Sequence, residues 1–428
     1  MRKLGLIVLM AAVAVFFTFS AGAEYYDFGG ETIILWDHGD FGDAGVNFEE
    51  GGVTPNRLHE AEELFNANIE IREGGDRHAR LLSGDSANDI WMVNNRDYPE
   101  MLGQNMLYPI SEILDDEYFD VLHTYRRVAA DIMSHEGITY GFGTLFQPPR
   151  MRFLMYNKEL IEQAGLQDPY EHYEAGTWTW DTFEQYLEAL RVDLDGDGTY
   201  DQYGMGPGYF ATGWYSPMYF ALTNKVHSTR IENGDVVFNM NSDEYIAALN
   251  KLVEWHAERE LFGDVDFAEG TAAFAATTPA WLTGDEDFGF EWSVVPKPMG
   301  PNADEYAYTV DMINAWTIPL NSAHPEGKVQ LINYLYPTDV YEDWYEELIG
   351  SIAPDRQAYE VMMRGFNEWP GDVDVFMGIT DWPTMGDMGD IFDGVMSPRE
   401  AMDASAPEIQ GVLNSIIDQD FEEEDLDI

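Results

Sequence analysis

The 428-residue chain carries 79 Asp and Glu against 22 Lys and Arg, a formal charge of −57, and contains no cysteine. A field of that sign repels nucleic acid and anionic membrane surfaces. With no disulfide available, stability must come from packed cores, which 45% hydrophobic and 14% aromatic residues can supply. Self-repulsion at this charge density points to a salt-adapted surface screened by high ionic strength, although a plain acidic secreted protein has the same composition.

In chain order, Arg2 and Lys3 precede an apolar run from Leu4 to Phe19, which ends at Ala21-Gly22-Ala23. The basic, apolar and small-residue order is that of a secretory signal peptide cleaved after Ala23, rather than an uncleaved anchor helix. The next elements alternate. Glu31–Trp36 is a β-branched strand pattern, residues 55–68 place Leu58, Ala61, Glu62 and Phe65 at near-helical spacing, and Ile69–Glu73 returns to strand. A short helix at 77–84 and a strand at 88–93 follow, which predicts a parallel, doubly wound sheet. In open sheets of this kind ligands bind beyond the carboxyl ends of the strands, which singles out Trp36, Asp37, Asn94 and Asn95.

A second α/β series starts near residue 150. Met151–Asn157 reads as a strand and Lys158–Gly165 as a short helix. In the next helix Phe183, Tyr186, Leu187 and Leu190 recur at i, i+3, i+4 and i+7, with Thr179 or Asp181 placed to cap its start. Asn241 and Glu244 have the spacing of a capping box at the start of another helix. The acidic tail at 418–428 is too charged to pack.

One segment carries a family pattern. A strand ending Tyr156-Asn157-Lys158 leads to a helix closing with Ala164-Gly165-Leu166, then Pro169, and then Thr179-Trp180-Asp181 opens an acidic helix. This resembles the signature of the extracellular solute-binding proteins of carbohydrate ABC transporters, the maltose-binding-protein-like family. The segment Gly270–Trp281 is similar to a helix of that family and Trp292–Pro301 to a strand-to-loop segment. The resemblance implies a two-lobed α/β fold, each lobe a mainly parallel sheet flanked by helices, with a ligand cleft between hinge-connected lobes. It implies a first lobe of residues 24–145 and 311–352 and a second of 146–310 and 353–417. The crossings then fall near Thr144–Phe146, Val310–Asp311 and Ile352–Pro354. A monomer that hands its sugar to a membrane permease is the expected partner relationship. The family's lipid-modified cysteine is absent, which suggests a freely diffusing periplasmic or secreted form, and the acidity exceeds the family norm.

A site for neutral sugars needs flat aromatic rings for C–H faces and Asp, Asn or backbone groups for hydroxyls. The candidates are Trp36, Asp37, Asn94, Asn95, Phe146, Trp214, Tyr215, Trp281, Trp316, Asp381 and Trp382. For each Trp the competing reading is core packing, less so for Trp214, Trp316 and Trp382, which lie in Gly-, Asn- or Pro-flanked segments. Trp180 is expected to be structural. Arg150 and Arg152, beside the first crossing, could meet an acidic sugar or simply pair with the chain's own carboxylates.

The stretch from Arg191 to Gly204 places Asp193, Asp195 and Asp197 at alternating positions, then Gly198, Thr199 and Asp201. These match the first nine positions of a calcium loop, but Gly204 stands where the bidentate Glu belongs and no helix pattern follows. The segment is a structural calcium clip or a plain Asp/Gly turn. No nucleophile elbow, phosphate loop, dinucleotide motif or metal-spaced His pair is present, so no catalytic residue is assigned. The alternative functions are a secreted polysaccharide-acting enzyme with its acid pair hidden among the carboxylates, and the same fold binding a cation such as a polyamine.

Overall fold

The β-branched run from Thr32 to Asp37 forms strand β1, and its alternating side chains enter two different cores. Ile33 and Leu35 join Ile69, Ile90 and Met92 on one face, while Ile34 and Trp36 meet Trp91, Val93 and Tyr98 on the other. A strand covered on both faces belongs to a doubly wound sheet. The computed structural model describes residues 25–37, 55–73, 75–120, 122, 124–143, 150–206, 216–232, 235–310, 312–337, 341–369, 371, 373–376, 379 and 388–417.

The first lobe follows the predicted order: α1 (Pro55–Leu64), β2 (Asn68–Glu73), α2 (Arg77–Ser83), β3 (Asp89–Asn94) and α3 (Tyr98–Gly103). Strand β1 lies between β2 and β3 and runs parallel to both, with Leu35 opposite Ile71 on one side and Ile90 on the other. Local chemistry sets the helix ends. The Asp76 carboxylate accepts the Ala79 N–H at 2.8 Å to start α2, and Gly84 at φ 78° ends it. Two further helices, α4 (Asp116–Asp120) and α5 (Thr124–Ile132), lead to a hairpin of β4 (Ser134–His135) and β5 (Ile138–Thr139).

The second lobe is built on β6 (Phe153–Asn157), followed by α6 (Lys158–Gln163), α7 (Pro169–Glu174) and α8 (Trp180–Ala189). Asn157, Asp168 and Thr179 cap the three helices through their side chains, so Thr179 rather than Asp181 is the cap of α8. Then come α9 (Ser216–Leu222), the hairpin β7 (Thr229–Glu232) and β8 (Asp235–Phe238), α10 (Asp243–Val253), β9 (Phe274–Thr277) and β10 (Trp292–Pro296). The cap of α10 is Ser242, whose hydroxyl accepts the Tyr245 N–H; Asn241 instead donates to Asp403, so the predicted capping box does not form.

Two expectations are corrected here. The second sheet, in the order β10-β6-β9, is antiparallel in both its ladders, and among the described residues a mainly parallel sheet is found only in the first lobe. The Gly270–Trp281 segment holds a strand, β9, where the resemblance implies a helix. All four residues of β9 are buried, and a short apolar run of small residues has no periodicity that separates strand from buried helix; pairing with β6 decides it.

The chain returns through β11 (Asn314–Thr317), which joins the first sheet antiparallel to β3. Helix α11 (Pro325–Leu335) packs in the first core through Val329, Leu331, Ile332 and Leu335. Tyr345, Ile349 and Ile352 of α12 (Tyr341–Ile352) are in the second core, as is α13 (Arg356–Asn367). Side chains of this returning segment up to Tyr336 thus lie in the first core and those of α12 from Tyr345 onward in the second. The last helix, α14 (Pro398–Ile417), follows. Among the described residues no helix is long and apolar enough to cross a membrane.

Candidate ligand-binding cleft

Two chain segments cross side by side between the lobes. Phe142 pairs antiparallel with Trp316 at the first-lobe end, and Met151 pairs antiparallel with Val310 at the second-lobe end. The expected crossings near Thr144–Phe146 and Val310–Asp311 involve residues 144–149 and 311, which lie outside the described residues. Whatever projects from the sheet ends beside these crossings borders the space between the lobes.

On the first lobe those ends are the carboxyl termini of β1 and β3 and the start of β11, where Asn314 lies opposite Asn94. Trp36 is buried, with the guanidinium of Arg80 at 4.9 Å and that of Arg72 at 5.7 Å from its ring centroid. The side chain of Asp37 lies outside the described residues. The Asn94 side-chain oxygen Oδ1 accepts the backbone N–H groups of Arg96 and Asp97 at 2.8 and 2.9 Å, closing the turn after β3. Asn95 exchanges two bonds with Ile313: its backbone N–H donates to the Ile313 carbonyl at 3.0 Å, and its side-chain oxygen accepts the Ile313 N–H at 2.9 Å. The Asn95 side-chain amide is buried and has no partner among the described residues, leaving a donor for a bound molecule.

On the second lobe, Phe153 opens β6 just after the crossing and pairs with both Thr277 and Pro296. The ends of β9 and β10 therefore lie beside the crossing, and they carry Thr278, Trp281 and Lys297. Trp281, in the turn after β9, is 47% exposed, unusual for an indole among the described residues. The Arg152 guanidinium lies 5.1 Å from the Trp281 ring centroid and 4.9 Å from that of Tyr219 on α9. Lys297 places its ammonium 5.0 Å from the same Tyr219 ring. Thr278 and Thr309 are fully buried, and neither hydroxyl has a hydrogen-bond partner among the described residues.

Of the predicted aromatic ligands, Trp281 thus stands in the open at the cleft edge. Trp316 does not: it is fully buried in β11 opposite Met92, its ring 5.8 Å from that of Tyr336, so it is first-lobe core. Trp180 is structural as expected, stacked on Phe220 at 4.1 Å with its indole N–H donated to the Thr223 hydroxyl. Phe146, Trp214, Tyr215, Asp381 and Trp382 lie outside the described residues. Tyr219, Lys297, Thr278 and Thr309 escaped the sequence reading. The cation inside the Pro296-Lys297-Pro298 strand-to-loop segment was the one signal available.

The acidic loop sits apart from the cleft at the end of α8. Carboxylate oxygens of Asp193, Asp195 and Asp197 lie within 4.8 Å of one another. Asp193 accepts the N–H groups of Gly196 and Gly198 at 2.7 and 2.9 Å, and the Gly198 bond in particular holds its carboxyl below the usual carboxylate range. Asp197 accepts the Thr199 N–H, Asp201 accepts the Leu194 N–H, and the Val192–Gln202 pairing closes the loop. A β-carbon at Gly204 would come within 2.5 Å of Leu187 Cδ2, so a Glu at the twelfth position would have to displace the Leu187 side chain. The oxygen-only donor set suits a hard cation such as calcium.

The comparison with known families decides the identity. Residues 65–370, well over half of the chain, match the model of the bacterial extracellular solute-binding proteins. The chain belongs to that family. Solved structures agree on the two-lobed fold. A cyclo/maltodextrin-binding protein complexed with maltotetraose is 17% identical, with a TM-score of 0.63 over 90% of this chain and 97% of that one. The extracellular solute-binding protein from Staphylococcus aureus in complex with maltose is 14% identical, with a TM-score of 0.64 over 90% and 98%. An ABC substrate-binding protein from Listeria monocytogenes in complex with cycloalternan is 15% identical, with a TM-score of 0.61 over 90% and 99%. No curated protein matches the sequence. As a solute-binding protein, the chain is assigned outside the cell's cytoplasmic membrane by family.

Proposed function

We propose that this solute-binding protein is the substrate-binding component of an ABC importer, capturing a sugar or oligosaccharide between its lobes. Hinge closure then brings the two lobe edges onto the ligand, which passes unchanged to a membrane permease. The observation that carries this reading is the half-exposed Trp281 at the crossing end of the second sheet. An indole face there stacks on the C–H face of a pyranose, and the buried, unpartnered Asn95 amide across the crossing supplies a hydroxyl partner. The sugars named in the structures of similar fold support the ligand class. Met1–Ala23 serves as the export signal, and calcium bound by Asp193, Asp195 and Asp197 pins the end of α8. Isothermal titration against oligosaccharides, with chromatography of the sugar afterwards, tests the reading: one-to-one saturation with intact sugar is expected, and shortened products would replace it with an enzyme.

A further inference from the structure

We propose that helix α5 and Val375 form an apolar latch between the lobes, which sets ligand affinity without touching the ligand. The inference rests on the hinge-closure reading and names what regulates it. Helix α5 reaches from one core to the other. Ala129 is 1% exposed within the second core, Val128 and Ile132 pack against that core, and α13 is the neighbouring helix. One residue beyond Ile132, Met133 is fully buried in the first lobe with Tyr98, Met101 and Tyr140. The second lobe reaches back from the other side. Gly371, after α13, lies so near α5 that a β-carbon on it would come within 3.1 Å of Val128 Cγ1. Val373 is buried in the second core, and the buried Asp374 carboxylate accepts the Ser228 N–H at 2.6 Å. From that anchorage Val375 packs against the second core and also against the first-lobe group of Tyr98, Met101 and Tyr140. Among the described residues no other side chain is common to those two clusters.

Crossing strands alone leave two lobes free to rotate. Packed apolar contacts do not deform continuously, so a rotation must either keep this seam or open it. The seam is made in a conformation in which Trp281, at the cleft edge, is 47% exposed. It therefore stabilises the lobe arrangement with the cleft edge uncovered, and closure over a ligand works against it. A ligand moves the lobes only by its differential affinity for the two arrangements. Whatever loosens the seam thus returns as tighter apparent binding.

The test measures the distance between spin labels, one on each lobe, which a chain without cysteine makes straightforward. Leu82→Cys on α2 and Ile231→Cys on β7 carry the labels at positions 77% and 66% exposed. Val375→Ala and Ile132→Ala, both at partly buried positions, are each compared with the otherwise wild-type protein, first without ligand. Each should move part of the population to a second distance, the same in both variants. Each should also tighten the binding of the best-bound trisaccharide by about 3- to 10-fold. The control is Val329→Ala, a buried valine of the first core away from the seam, which should lower Tm and change neither reading. A single unchanged distance in both seam variants overturns the proposal, as does an equal shift in the control. Binding that stays the same or weakens in the seam variants overturns it too. Binding of no sugar by any of these proteins sinks the sugar reading and leaves the distances to decide the latch.

Discussion

Gly103 and Ile416 touch across the two lobes. A β-carbon on Gly103 would come within 2.7 Å of the Ile416 carbonyl oxygen and 2.9 Å of its Cγ2. Gly103 ends α3 in the first lobe, while α14 packs on β8 and α10 of the second as well as on α3. The contact is therefore a tie between lobes outside the crossing segments, and only a residue without a side chain permits it.

Gly103→Ala should break that tie. Overpacking at a close contact costs roughly 1–3 kcal/mol. The expected result is a lower Tm together with faster amide exchange confined to residues 410–417 and α3. Unchanged exchange in that stretch would show that the tie does not hold α14 in place.

Lys328 offers a pH signature. It is fully buried on α11, donating to the Ala87 carbonyl and the Ser322 hydroxyl at 2.5 and 2.6 Å. Burial lowers its pKa to about 7, partly offset by Asp89 and Glu31. Between that value and the ordinary lysine value of 10.5 the unfolded chain binds more protons than the folded one, so stability rises with pH across the window. The slope approaches about 1.4 kcal/mol per pH unit for a single group. Chemical denaturation of wild type and Lys328→Met from pH 7 to 10 should show a gap that moves in favour of wild type as pH rises. A gap independent of pH would mean that Lys328 is not the titrating group.

The acidic loop predicts a calcium effect on stability that is separable from ligand binding. Calcium should raise the Tm of the wild type, by on the order of 5 °C at saturating concentration. Asp193→Asn combined with Asp195→Asn should abolish that rise and leave sugar affinity within about twofold, because the loop lies away from the cleft. No calcium-dependent shift in the wild type would identify the loop as a plain Asp/Gly turn, held by the backbone bonds from Gly196 and Gly198 to Asp193.

The charge of −57 makes a further prediction. Raising salt from ~0.1 M to ~1 M shortens the Debye length from about 10 Å to about 3 Å and screens the self-repulsion. Tm should climb steadily over that range in NaCl and KCl alike. A flat or falling Tm would separate this chain from salt-adapted proteins and leave it merely acidic.

What could be read from the sequence was local. The cap of α8, read as Thr179 or Asp181, and the β-branched run at Glu31–Trp36 are decided by residues within a few positions; Thr179 caps the helix and the run forms β1. The Ala-rich run of β9 is not decided locally: its ladder with β6 joins residues more than a hundred positions apart. Trp316 was misplaced for the same reason, since its burial comes from β3 and α11 rather than from its flanking residues. In the cleft, Trp281 was a candidate as the aromatic that closes the Gly270–Trp281 segment, which was expected to be helical. Its partnership with Arg152, Tyr219 and Lys297 was not, because strand register assembles four distant segments at one sheet end.

The most direct test of the account is calorimetric titration of wild type and Trp281→Ala with the trisaccharide that the wild type binds most tightly. Loss of a stacking indole should weaken binding about 10-fold or more, with one-to-one stoichiometry in the wild type and the sugar recovered intact. Equal affinity in the two proteins would remove Trp281, and with it the crossing end of the second sheet, from the binding site.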